Sequence, residues 1–95
     1  MTPKPSLKRT VRIANPQGLH MRPAAAFAEL ASRYRVDVRV WRGEKDVDGK
    51  SLWDLIMLAA GPGDEVIVEV AGQDAYEALP ALSELLAAIP EEVEN

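Results

Sequence analysis

Two hydrophobic periods alternate along this chain, and no other feature restricts its fold as strongly. Val36, Val38 and Val40 share one side of a segment whose other side holds Arg35, Asp37, Arg39 and Trp41. That period of two belongs to a strand with one wet face. Glu65 to Val70 repeats it with Val66, Val68 and Val70, and Leu7 to Ile13 ends in it, with Val11 and Ile13 inward and Thr10 and Arg12 outward. Between these segments the period lengthens. Met21 to Arg33 is rich in Ala and Leu, with Pro23 tolerated in the first turn, and predicts a helix. Ser51 to Ala60 has apolar residues at helical spacing and stops at Gly61-Pro62-Gly63, which breaks a helix. Gln73 to Ile89 carries a stripe of Tyr76, Leu79, Leu82, Leu85, Leu86 and Ile89, with Pro80 as a local bend. Gly43-Glu44 turns the chain into a short, edge-like strand near Lys45 to Asp48.

The order is strand, helix, strand, strand, helix, strand, helix. Strands with one polar face predict an α+β open-faced βαββαβα sandwich, its sheet covered on one side by all three helices. With 95 residues there is room for one domain, 1–95, with a core over about 7–88 and flexible ends at 1–6 and 90–95. The chain is 47% hydrophobic but has only two Trp, two Tyr and one Phe, so aliphatic side chains must fill the core. It has no cysteine, which excludes a disulfide framework and thiolate metal sites. No apolar run approaches the roughly 20 residues that span a bilayer, and the first residues lack a signal core. A soluble, cytoplasmic protein is expected, without membrane insertion.

Charge is sorted along the chain. All eleven Lys and Arg lie in residues 1–50 beside five acids, whereas residues 51–95 hold ten acids and no cation. A basic half raises the possibility of an RNA-binding α+β domain. That reading needs a Gly-x-x-Gly clamp or stacking aromatics on the sheet, and only Trp41 qualifies. The simpler expectation is a sheet in which early Arg-bearing strands flank a late acidic one, with no nucleic-acid partner.

Candidate chemistry narrows to one segment. The chain has one His and no Walker-type phosphate loop, and zinc normally takes three or four side-chain ligands, so no metal site is expected. In Gly18-Leu19-His20-Met21-Arg22-Pro23-Ala24, His20 falls at the mouth of a helix. First-turn N–H groups lack intrahelical acceptors and the helix dipole is positive there, so an anion carried on the imidazole would be favoured. Arg22 adds a fixed cation that can share phosphoryl oxygens. Gly18 would give the phosphate site open backbone where a donor could approach. A single His at a helix start is, even so, more often an exposed or capping residue than a nucleophile, and chemistry alone leaves both open.

The segment resembles the phosphorylation motif of the histidine-containing phosphocarrier (HPr) family, Gly-[Leu/Ile/Met]-His-x-Arg-Pro-Ala. A second family landmark resembles Lys50-Ser51-Leu52-Trp53 through Gly63-Asp64-Glu65-Val66, and the likeness covers about Leu7 to Ala88. It implies a four-stranded antiparallel sheet in the order 1-4-2-3 with three helices on one face. It also implies a stoichiometric carrier rather than an enzyme, monomeric and without a cofactor. Enzyme I of the phosphoenolpyruvate-dependent phosphotransferase system would phosphorylate His20 at Nδ1, and enzyme IIA components of sugar uptake would remove the phosphate.

A carrier must release its load, so a shallow site without a pocket is expected, with partners docking on an apolar patch drawn from Met21, Leu52, Trp53 and Ile56. Ile56 is as readily a core residue. Ser51 matches the serine that HPr kinase/phosphorylase modifies in many relatives, yet Ser51 and Asp54 also spell a helix-capping signature. Met21 stands where small residues are common in the family, which leaves open a paralogue of nitrogen regulation or of the dihydroxyacetone pathway.

Overall fold

The computed structural model describes residues 6–88. Ile89 of the expected stripe and the ends 1–5 and 90–95 lie outside them. The elements are β1 (Ser6–Arg12), α1 (Met21–Ala31), β2 (Val36–Arg42), β3 (Lys45–Asp48), α2 (Leu52–Met57), β4 (Glu65–Gly72) and α3 (Ala75–Ala87). The four strands form one antiparallel sheet in the order β1-β4-β2-β3, as the resemblance implied.

The valines of the period-two segments build the floor of the core. Val36, Val38 and Val40 of β2 and Val66, Val68 and Val70 of β4 are all buried beneath Phe27 of α1, Leu55 and Leu58 at α2, and Leu82 of α3. Register aligns them, with Val38 opposite Val70 and Val40 opposite Val68. Burial of side chains of this size contributes about 1.5–3 kcal/mol each.

Helix ends differ from expectation for identifiable reasons. Helix α1 stops two residues early because its last turn tightens: Arg33 N–H donates to Leu30 O and Tyr34 N–H to Ala31 O, while Ser32 Oγ donates to Ala28 O. Helix α2 stops at Met57 because Ala59 takes a left-handed conformation, φ 59°, and Ala60 turns its carbonyl to Leu19. Helix α3 starts only at Ala75, since Asp74 spends its carboxylate on Arg35 N–H at 2.8 Å. Its buried residues are Ala75, Ala78, Leu79, Leu82, Ser83 and Leu86, while Leu85 of the expected stripe is partly buried. Tyr76, expected in that stripe, is instead 81% exposed. The two alanines occupy the i and i+3 positions facing the sheet and leave Tyr76 turned to solvent.

Opposite the helices, the sheet interleaves the sorted charges. Strand β4 lies between β1 and β2, so Glu65 faces Arg12 and Glu69 faces both Lys8 and Arg39. Arg12 pairs with Glu65 at 3.2 Å and Arg39 with Asp46 at 2.8 Å. The open face therefore carries both signs rather than a basic strip. Trp41, the one stacking candidate, is half-buried and its indole N–H donates to Glu69 Oε1 at 2.8 Å.

That bond, with a second from Ser6 Oγ to Oε2 at 2.9 Å, holds the Glu69 carboxyl below its ordinary value of 4.5. A carboxyl held low in the fold contributes stability above its unfolded value, and the contribution is lost as pH falls through the folded one. Trp41→Phe removes the larger bond. The stability gap between wild type and Trp41→Phe, measured by urea unfolding, should accordingly narrow below about pH 4. A gap that widens on acidification would contradict this assignment.

Candidate functional site

The segment leading to His20 is tied down from three sides. Ile13 N–H donates to Asp64 O and Gly63 N–H to Ile13 O, both at 2.9 Å, and Ala14 N–H donates to Leu86 O at 3.2 Å. The chain then turns over Asn15 to Gly18, with Gly18 N–H on Asn15 O at 2.9 Å and Gln17 N–H on Asn15 Oδ1 at 2.9 Å. Leu19, buried, donates its N–H to Ala60 O at 2.9 Å.

His20 follows as the N-cap of α1, with extended backbone at φ −87° and ψ −168°. Its carbonyl accepts Ala24 N–H at 3.0 Å, which starts the helix. Its ring makes no capping hydrogen bond, and no acid occupies the first turn. The imidazole is thus uncommitted and half-buried, beside N–H groups of Met21 and Arg22 that no helical carbonyl can reach. Arg22 is exposed and has no ion-pair partner among the described residues. An anion on the ring would meet a positive helix end and the exposed Arg22 guanidinium, both of which favour it.

Two expectations change here. The site, expected to be shallow and without a pocket, has an open depression of ≈ 550 Å³ beside His20 and Arg22, bounded by Asn15, Gln17, Leu85 and Ala88. Gly18, expected to leave room for a donor, is buried and its N–H is already engaged. With φ +73°, a Cβ there would lie 2.8 Å from Ala60 O and 3.0 Å from Gly61 Cα. Its missing side chain admits the chain's own residues 60–61, and through them the end of α2.

The patch residues separate into two groups. Met21 and Trp53 are 48% and 63% exposed. Leu52 and Ile56 are partly buried against the core, where their spacing on the inner side of α2 puts them. Met57, 66% exposed, belongs with Met21 and Trp53 in exposure and was not singled out from the sequence.

Ser51 lies at the far end of α2 from Ala60. It is the N-cap, and its Oγ accepts Asp54 N–H at 3.2 Å. Asp54 does not close the capping box on Ser51; its Oδ2 accepts Asp48 N–H at 3.4 Å. Loss of such a cap typically costs about 1 kcal/mol. Ser51→Ala is expected to lower stability by that amount in denaturant titration, and an unchanged unfolding midpoint would mean that the cap bond contributes nothing.

Among the described residues, no three His, Cys, Asp or Glu side chains are placed to hold a metal ion, and no helix is long and apolar enough to cross a membrane.

A family model described as the PTS HPr component phosphorylation site matches residues 7–88. The phosphocarrier protein HPr of Pseudomonas aeruginosa is 47% identical over 77 residues, 80% of this chain and 86% of that one. The phosphocarrier protein NPr of Shewanella violacea is 39% identical over 80 residues, 84% and 88% of the two chains. The crystal structure of HPr from Bacillus anthracis superposes with a TM-score of 0.82 at 33% identity, covering 85% of this chain and 96% of that one. A motif around His20, a strand order and a helix mouth that suits an anion all agree with these matches: the chain belongs to the HPr family of phosphocarriers of the phosphotransferase system.

Proposed function

We propose that His20 accepts a phosphoryl group, originating in phosphoenolpyruvate, from enzyme I and passes it to enzyme IIA domains that serve sugar uptake. The observation that carries this reading is the imidazole at the start of α1, without a cap bond or a first-turn acid, beside an exposed Arg22 that has no ion-pair partner among the described residues. The ring nitrogen Nδ1 attacks phosphorus, the N–P bond forms as the bond to the donor breaks, and the helix N–H groups and Arg22 share the oxygens' charge. The match to HPr phosphocarriers supports reading the chain as a stoichiometric carrier acting in the cytoplasm rather than as an enzyme.

An open depression suits that work. A carrier that bound phosphate as tightly as a closed catalytic pocket would hold its load instead of losing it. Exposed Met21, Trp53 and Met57 supply the apolar area on which enzyme I and enzyme IIA dock in turn, with Leu52 and Ile56 supporting it from beneath. Ser51 serves as a cap. Regulation by a kinase at Ser51 is a separate proposal: a phosphoserine there would be favoured by the positive start of α2 and opposed by the Asp54 carboxylate in its first turn.

The match to NPr favours one second reading, a paralogous relay with the same His20 chemistry and a different enzyme I. Intact-mass measurement after incubation with phosphoenolpyruvate, magnesium and enzyme I tests the carrier function. Running it with enzyme I of the sugar system and with its nitrogen-related counterpart separates the two readings, since the cognate enzyme should label faster.

A further inference from the structure

Asn15 lies five residues before His20 and makes two bonds that shape everything between them. Its backbone carbonyl accepts Gly18 N–H at 2.9 Å, closing a four-residue turn. Its side-chain Oδ1 accepts Gln17 N–H at 2.9 Å. Pro16, next in the turn, has no N–H, so Gln17 carries the one turn donor that the backbone bond leaves over. The carboxamide takes it, and an Asx-type ring is added to the β-turn.

Beyond the turn the chain is held by Gly18 against Ala60 and Gly61 and by Leu19 N–H on Ala60 O. His20 itself makes no side-chain cap bond. The position of its ring therefore depends on the backbone that delivers it, and that backbone is pinned at one end by Asn15 and at the other by Ala60. Gln17 is exposed, so water can replace the bond if Asn15 is lost. Folding would change little, while the approach to His20 would loosen.

We infer that Asn15 is a positioning residue for phosphoryl transfer, acting through the turn that sets His20 at the mouth of α1 and not through contact with the phosphate. This rests on His20 as the acceptor. Misplacement of a reacting group by about 1 Å can cost on the order of a hundredfold in rate; a loosened turn that still visits the productive position should cost less.

The test is steady-state transfer from enzyme I to wild type, Asn15→Ala and Asn15→Ser, with hydrogen exchange of the Gln17 amide read alongside. Asn15→Ala is expected to lower kcat about tenfold, to leave KM for the carrier unchanged and to speed Gln17 exchange. Asn15→Ser, whose hydroxyl is a weaker acceptor, should fall between the two in both readouts. Wild-type kcat in Asn15→Ala would overturn the positioning role and leave the carrier function standing. An Asn15→Ser variant with fast Gln17 exchange and wild-type kcat would overturn it as well, which keeps the test decisive if Asn15→Ala fails to fold. Wild-type protein that takes no phosphate on His20 would remove both proposals together.

Discussion

His20→Ala is expected to take up no phosphoryl group under conditions in which wild type gains one acid-labile group, a loss of the whole signal. Phosphoryl transfer to a carrier needs a nitrogen or oxygen nucleophile that a partner can reach, and His20 is the only histidine in the chain. Serine and threonine hydroxyls would form acid-stable esters, so lability in acid separates them in the same measurement. The substitution should leave the fold intact, because the ring makes no capping bond and is only half-buried. Far-UV circular dichroism of the variant makes that check. Arg22→Ala should still become phosphorylated, but more slowly, since it removes the charge proposed to share the oxygens and not the atom proposed to bond phosphorus. Acid-labile phosphate on His20→Ala would reject His20 as the acceptor.

Phe27→Ala should cost about 3–5 kcal/mol, enough to consume much of the roughly 5–15 kcal/mol that holds a domain folded. Phe27 is the only phenylalanine and is completely buried. It joins α1 to the sheet at a point where backbone and side chains meet closely. A Cβ on Gly49 would lie 2.4 Å from Val38 Cγ1 and 3.2 Å from the Phe27 ring, so Gly49 leaves space for Val38 first and for the edge of the ring with it. Truncation would leave a cavity beneath a backbone already packed against it. At about 4–8 °C per kcal/mol for a domain near this size, Tm should fall by at least about 12 °C in a thermal melt. A fall below about 5 °C would mean that α1 can settle into the space. His20 caps the same helix, so the variant should also lose phosphoryl transfer at temperatures where wild type retains it.

These two substitutions act on different levels of the same helix. One removes the reacting atom and leaves its support, and the other removes the support and leaves the atom. Asn15 lies between them: it shapes the turn ahead of His20 and is proposed to act without touching the phosphate.

Much of this was legible in the sequence because it is periodic and local. Val36-x-Val38-x-Val40 and Val66-x-Val68-x-Val70 can bury one face only as strands, and the observed β2 and β4 bury them. Gly18 to Ala24 held the site's residues in one run, and Ser-x-x-Asp at Ser51 marked the cap that Ser51 makes. Tyr76 was misplaced because a stripe counted on large residues overlooks Ala75 and Ala78, whose small side chains let α3 approach the sheet. The Asx ring at Asn15 was also within reach of the sequence, since an Asn ahead of a Pro signals a side chain that can close a turn on itself.

What the sequence by itself determined is the set of elements, the inward face of each strand and the residue at the mouth of α1, since these follow from steric and hydrophobic rules that act over a few residues. Only the tertiary structure decided why Gly18 must be glycine, how α2 ends and what bounds the depression beside His20. Each of these depends on backbone segments far apart in sequence coming together, as Gly18 does with Ala60 and Ala14 with Leu86. Such approaches are set by the packing of all three helices on one sheet, and a local pattern carries no record of them.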